Sequence, residues 1–154
     1  MTPQQIQNVR DWIAALRSGT YKQGYSRLLS TSGTYCCLGV LCEINNVAKK
    51  ELNKSLSNEM YYVFNIAHNG RDAHEIIRND VLPTIFYEQV TGWRNWSFRI
   101  PSTYHDYIKS KLVHLGQSID ITTINDIVKL SFNDIADIIE YNLETYLLES
   151  TNHD

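Results

Sequence analysis

The run at residues 35–44, Tyr-Cys-Cys-Leu-Gly-Val-Leu-Cys-Glu-Ile, constrains the fold most, because it is apolar on almost every side and leaves no stripe for solvent. Such a segment has to be enclosed, so the rest of the chain must wrap around it. Small residues at Cys36, Cys37 and Gly39 let a neighbour approach closely and suit a fully buried helix, although length alone leaves a strand open. The helix is the preferred reading.

Two amphipathic helices supply candidates to do the enclosing. At the N-terminus Thr2 can cap, Pro3 takes the first helical position and Gln5 stands three residues after Thr2, as in a capping box. Ile6, Val9, Trp12, Ile13 and Leu16 then form one apolar stripe, and Gly19 supplies a left-handed stop. At the other end Ser131 opens a helix with Asp134 three residues on, and Phe132, Ile135, Ile138, Ile139, Leu143 and Tyr146 make its stripe. A shorter helix is predicted near residues 122–128.

The middle of the chain reads as mixed. Residues 47–59 are polar and rich in Lys and Asn, which predicts a surface segment. Residues 60–67 are aromatic and β-branched and stop at Asn69-Gly70, the pattern of a strand entering a turn. A short helix over residues 72–78 follows, then a helix from Thr84 to Val90 opened by Pro83 and closed by Gly92. Residues 93–100 alternate as a strand ended by Pro101, and Ser102 starts a helix to about residue 115, with Gly116 as its stop. A short strand is also read around Arg27-Leu28-Leu29, inside a loop marked by Gly24 and the cluster at 30–33. The sum is a helix-dominated α+β fold with a small antiparallel sheet from the central segment. At 154 residues it fits a single domain, 1–154, that buries roughly 68–70% of its unfolded surface without metal or disulfide staples.

Charge limits the partners. The net charge is −3, but from residue 118 onward there are eight acids and one base, Lys129. Positive charge gathers locally at residues 89–111, where Arg94, Arg99, Lys109 and Lys111 face only Asp106. A small anionic ligand fits that pattern better than DNA, whose phosphates reward an extended basic surface. No apolar run approaches the roughly 18 residues of a membrane span. Without a basic start or apolar stretch in residues 1–7, the three cysteines read as reduced thiols of the cytoplasm.

No catalytic set is visible. Cys36-Cys37-x4-Cys42 lacks a Cys-x-x-Cys pair, and the five histidines fall in no metal-ligand spacing, so neither metal nor cofactor is expected. Residues 131–140 look like the first helix of a helix-turn-helix reader, but the following residues 141–149 carry no Lys or Arg and would repel phosphate.

The best candidate for binding is Trp93-Arg94-Asn95-Trp96-Ser97-Phe98-Arg99. Indole faces stack on nucleobases and guanidinium groups grip phosphate oxygens, a pairing that a nucleotide-like dianion requires within a few residues. Strand alternation would place Arg94, Trp96 and Phe98 on one face and Trp93 and Arg99 on the other; alternatively, the aromatic residues fill the core with arginines at its rim. A second candidate is Arg17, Tyr21, Gln23 and Arg27. Arg17 either complements the negative end of the first helix or joins its neighbours in a shallow anion pocket.

Two blocks of residues carry a family likeness. The first is Trp12, Leu16-Arg17-Ser18-Gly19, Tyr21, Gln23 and Cys36-Cys37-Leu38-Gly39-Val40-Leu41-Cys42; the second is Asn125-Asp126 with residues 131–140. Together they resemble a family of small bacteriophage and prophage proteins. That resemblance implies a genetic context and no particular activity. Small phage proteins without enzymatic character often act against host immunity, and one class holds cyclic nucleotides or cyclic ADP-ribose derivatives as a sponge. The expected function is therefore non-catalytic ligand binding of that type, possible as a homo-oligomer with the site at an interface; the alternative is a protein–protein adaptor that occupies a host enzyme through an apolar or acidic surface such as residues 140–149.

Overall fold

In the computed structural model the described residues are 1–54, 57–67, 73–112, 114, 116 and 118–151, with the side chains of 53, 54, 57 and 58 set aside. The order of elements is α1 (Pro3–Arg17), α2 (Cys37–Ile44), β1 (Ala48–Lys54), β2 (Ser57–Ile66), β3 (His74–Arg78), α3 (Thr84–Thr91), β4 (Ser97–Arg99), α4 (Ser102–Lys109), β5 (Ser118–Asp120), α5 (Ile121–Thr123) and α6 (Phe132–Thr151). The turn α5 opens directly into a π-helix, Ile124–Val128. The fold is α+β and helix-dominated.

Helix α2 is the enclosed element. Cys37, Leu38, Gly39, Val40, Leu41 and Cys42 are all buried. Gly39 explains how the segment is enclosed: a Cβ there would stand 1.7 Å from the carbonyl oxygen of Leu28, so only glycine lets the loop backbone lie against the helix. Helix α1 packs on α2, α3 and α6 through Val9, Trp12, Ile13 and Leu16, and the Trp12 indole donates to the Cys37 carbonyl at 2.8 Å. Its N-terminus is a complete capping box of Thr2 and Gln5. Helix α6 supplies Phe132, Ile135, Ala136, Ile138, Ile139 and Leu143, and begins at a Ser131–Asp134 box in which each backbone N–H donates to the other side chain at 3.2 Å.

The larger sheet is antiparallel in the order β1-β2-β3, with Ala48 opposite Val63 and Phe64 opposite Ile76. Tyr62, Phe64 and Ile66 point into the core, and Phe64 meets Phe86 of α3 edge-on at 5.0 Å. A second sheet pairs only β4 and β5.

Several expectations for the middle of the chain are corrected. The polar stretch predicted to be a surface segment is exposed at residues 48–51, but it also carries a strand that its sequence does not predict, β1. It is an edge strand with Ala48, Lys49, Lys50 and Glu51 exposed, so it carries no apolar alternation to betray it. Residues 74–78 form β3 rather than a helix: pairing with β2 uses the β-branched Ile76 and Ile77 and overrides local helix preference. The strand expected over 93–100 shrinks to β4, since the Asn95 side chain accepts from the Ser97 N–H and makes a turn of the preceding residues. The helix from Ser102 ends at Lys109, and the short strand at 27–29 reduces to an isolated bridge between Leu29 and Tyr35. The expected turn at Asn69-Gly70 and the expected helix end at residue 115 lie outside the described residues.

Candidate functional site

The two stretches of sequence that carry the family likeness converge on one cavity. A pocket of about 180 Å³ is lined by Ser26, Cys36, Cys37, Leu38, Asp80, Val81, Leu82, Trp96, Thr122, Asn125 and Asp126. The start of α2 forms one wall, the segment before α3 another, and the α5–π-helix turn a third. Trp96, half-buried, meets Tyr87 edge-on at 5.6 Å, and Tyr87 meets Trp12 in the same way at 6.4 Å. The indole that lines the cavity is thus backed by a column of rings running into the core.

The polar part of the wall is built around Asn125, which is fully buried. Its amide donates to the Gly24 carbonyl at 3.0 Å and to Asp126 Oδ1 at 2.6 Å, and its carbonyl accepts from Gln23 Nε2 at 3.2 Å. Gln23 also donates to the Leu130 carbonyl at 2.8 Å, bridging the loop after α1 to the exit of the π-helix. Backbone departures from ordinary geometry gather here. Ser26 has φ 63°, Lys129 has φ 59°, and a π-helix is itself a costly form that tends to occur where a side chain must be re-aimed.

Two carboxylates, Asp80 and Asp126, face the cavity, and among the described residues no cation lines it. Asp80 Oδ1 accepts from the Val81 N–H at 2.9 Å. Among the described residues the second oxygen of each acid, the Ser26 hydroxyl and the Trp96 Nε1 have no hydrogen-bond partner. The thiols on the wall are held protonated: burial pushes Cys36 up to about 12 and Cys37 well above its ordinary range. Neither is a nucleophile at neutral pH.

The residues singled out from sequence are scattered. Trp96 and Gln23 come to the pocket, one as lining and the other as the brace behind it. Arg94 does not accompany Trp96; it is 88% exposed, 3.4 Å from Glu88, and borders a separate depression with Trp93, Asn95 and Asn142. Phe98 is buried against Trp93 at 5.1 Å, so the expected grouping of Arg94, Trp96 and Phe98 on one face is broken by the Asn95 turn. Arg99 pairs with Glu149 at 3.1 Å on the flank of α6. The second expected cluster also comes apart. Arg17 reaches across to Glu140 and Asp137 of α6, Tyr21 packs edge-on against Tyr35 at 5.4 Å, and Arg27 turns to Glu59 at 3.3 Å. All four arginines are answered by acids of the chain itself.

Asp80, Ser26 and Thr122 were not picked out from sequence, and no pattern points to them. Asn125 had a signal: an amide one helical turn from Ile121 and next to Ile124, on the face that Ile121, Ile124 and Val128 turn inward. Among the described residues no three His, Cys, Asp or Glu side chains gather as a metal site, and no helix is long and apolar enough to cross a membrane.

Fold and site together define an α+β domain with a ring-backed acidic pocket, open to solvent at Ser26, Asp80 and Val81, at the meeting point of its N-terminal and C-terminal segments. The chain belongs to the domain-of-unknown-function family DUF8296, whose model matches residues 3–143 and so includes every residue of that pocket. No curated protein and no solved structure matches it.

Proposed function

We propose that this chain is a non-catalytic, phage-type binding protein of the cytoplasm that sequesters a nucleotide-like signal in the Trp96 pocket. The observation that carries the reading is the pocket itself: an aromatic wall beside hydrogen-bonding groups with no partner among the described residues, braced from behind by the Gln23–Asn125 amides. A concave, mostly apolar cavity with a few convergent polar groups is how proteins hold small molecules. The thiols on its wall are protonated, which favours holding a ligand over transforming it.

Thermal unfolding with cyclic dinucleotides, cyclic trinucleotides and ADP-ribose derivatives tests the proposal. Ligand at roughly 100 times its dissociation constant adds about 2.7 kcal/mol and raises Tm by several degrees. Trp96→Ala should abolish the shift, and chromatography of released ligand should recover it intact. Absence of any shift overturns the reading; a cleaved product replaces it with an enzyme. Native mass spectrometry of the same sample reports whether the binding species is a homo-oligomer.

A second reading has its own observation. Between α1 and α6 runs a broader groove of about 450 Å³, lined by Arg10, Ile13, Ala14, Arg17, Glu140, Leu143, Glu144 and Leu147. Tyr141 and Leu148 are exposed on the same helix. This surface suits the adaptor that docks on a host protein, and mutation there would then abolish function while Trp96→Ala would not.

A further inference from the structure

We infer that the pocket takes the sugar and base of a nucleoside and leaves the phosphate outside. The inference rests on the ligand-binding reading above and fixes which end of the ligand enters. The warrant is the sign of the groups that remain unsatisfied. Asp80 and Asp126 each use one oxygen within the chain and present a second that no described residue satisfies. Such oxygens accept hydrogen bonds from hydroxyl or amino groups and repel phosphate oxygens, which bring only acceptors of the same charge.

Position sharpens the point. The Asn125 amide donates to Asp126 Oδ1 while Asn125 itself is clamped by Gly24 and Gln23, so the Asp126 carboxylate is held on a buried brace rather than left to swing. A carboxylate so fixed suits a pair of ribose hydroxyls, the use made of an acidic residue in dinucleotide folds. Trp96 supplies an aromatic wall for the base. The guanidinium groups that could grip phosphate are engaged elsewhere: Arg27, next in sequence to Ser26, turns away to Glu59, and Arg94 stands beside Glu88. Lys129, which leaves the π-helix, sits over the Tyr25 ring at 5.0 Å. Among the described residues a phosphate therefore has no side-chain cation in the cavity and two charges against it.

The test uses the full chain and four probes: adenosine, 2′-deoxyadenosine, 3′-deoxyadenosine and adenosine 5′-monophosphate. The Trp96 indole N–H resonance, assigned by its loss in Trp96→Phe, reports occupancy. Adenosine should bind within about threefold of its monophosphate, with little dependence on salt, because the phosphate contributes nothing inside. Each deoxy analogue whose hydroxyl meets a carboxylate should bind about tenfold more weakly, the loss expected for one charge-assisted hydrogen bond. Asp126→Asn and Asp80→Asn keep the shape and should erase part of that discrimination; circular dichroism checks that each variant folds, and either one suffices.

The opposite pattern overturns the inference. If the monophosphate binds while adenosine does not, and if Asp80→Asn or Asp126→Asn tightens it by relieving repulsion, phosphate enters the pocket and only the ligand-binding reading survives. If the indole resonance responds to none of the probes and the wider nucleotide panel gives no thermal shift, both fail together.

Discussion

The α1–α6 seam and the Trp96 pocket handle charge in opposite ways. At the seam Arg17 donates to Glu140 at 2.7 Å and to Asp137, while the Tyr104 hydroxyl donates to Asp137 at 2.9 Å and lies 3.2 Å from Asp134. Positive groups are answered by negative ones and the surface is self-contained. In the pocket the acids have no counter-charge among the described residues, and the amides behind them spend their donors on bracing. Internal satisfaction is what stability selects at a buried polar group, since one left there without a partner costs free energy that a folded chain can seldom spare. The pocket's acids escape that cost by facing solvent, and their free oxygens, beside a π-helix and two left-handed non-glycine residues, support the proposal that the pocket rather than the arginine-rich surface is the binding site.

The largest effect that separates the regions should come from Gly39. Replacing it by Val drives a side chain into the Leu28 carbonyl, so the loop that forms one side of the pocket has to leave α2. Overpacking of a core usually costs about 1–3 kcal/mol, and a backbone collision this close belongs at or beyond the upper end. Chemical denaturation should show a loss of about 3 kcal/mol or more, with the Trp96 indole signal altered even in the folded fraction. A near-neutral result would mean that the loop moves freely and that the pocket is not a fixed cavity.

Asn125 should give the intermediate effect. Asn125→Leu keeps the volume but removes the donor to Gly24 and to Asp126 and the acceptor for Gln23. Leaving those buried groups without partners costs about 1–3 kcal/mol. The informative comparison is with Trp96→Phe, which should cost less stability yet impair probe binding as much. If Asn125→Leu leaves both stability and binding intact, the brace is ornamental and the carboxylates orient themselves.

Sequence gave away the elements whose signal is local and hid those whose signal is shared. Helix α1 was readable from Thr2, Gln5 and its stripe, α3 from Pro83 and Gly92, and α6 from the Ser131–Asp134 box, because caps and stripes lie within one segment. Strand β1 was not, since an exposed edge of Lys and Glu acquires its conformation from β2 alone. The site followed the same logic. Trp96 and Gln23 stood out as residue types, but their company did not: Asp80 and Asp126 lie 46 positions apart and meet only through the fold. The arginines misled for a physical reason. A guanidinium seeks the nearest carboxylate, and an acidic C-terminal helix offered several before any ligand could.

The smallest effect belongs to the seam, and it carries a defined pH dependence. The hydrogen bond from Arg17 holds the Glu140 carboxyl below its ordinary range and pushes the guanidinium still further above its own, so Arg17 stays charged at every accessible pH. Because the folded pKa of Glu140 is depressed, its contribution is present above the unfolded value of about 4.3 and is lost as pH falls through the folded value. Both side chains are well exposed, 35% for Arg17 and 44% for Glu140, so solvent screens the pair. Arg17→Ala should accordingly cost no more than about 1 kcal/mol at pH 7 in low salt. Denaturation of wild type and variant from pH 7 down to pH 3 should show the two curves converging below about pH 4, as Glu140 takes up its proton and the pair is dissolved in both proteins. A gap that stays constant across that range would assign the cost to lost packing of the Arg17 stem along the groove rather than to charge, and the contrast between a self-neutralised seam and an unneutralised pocket would lose its electrostatic basis.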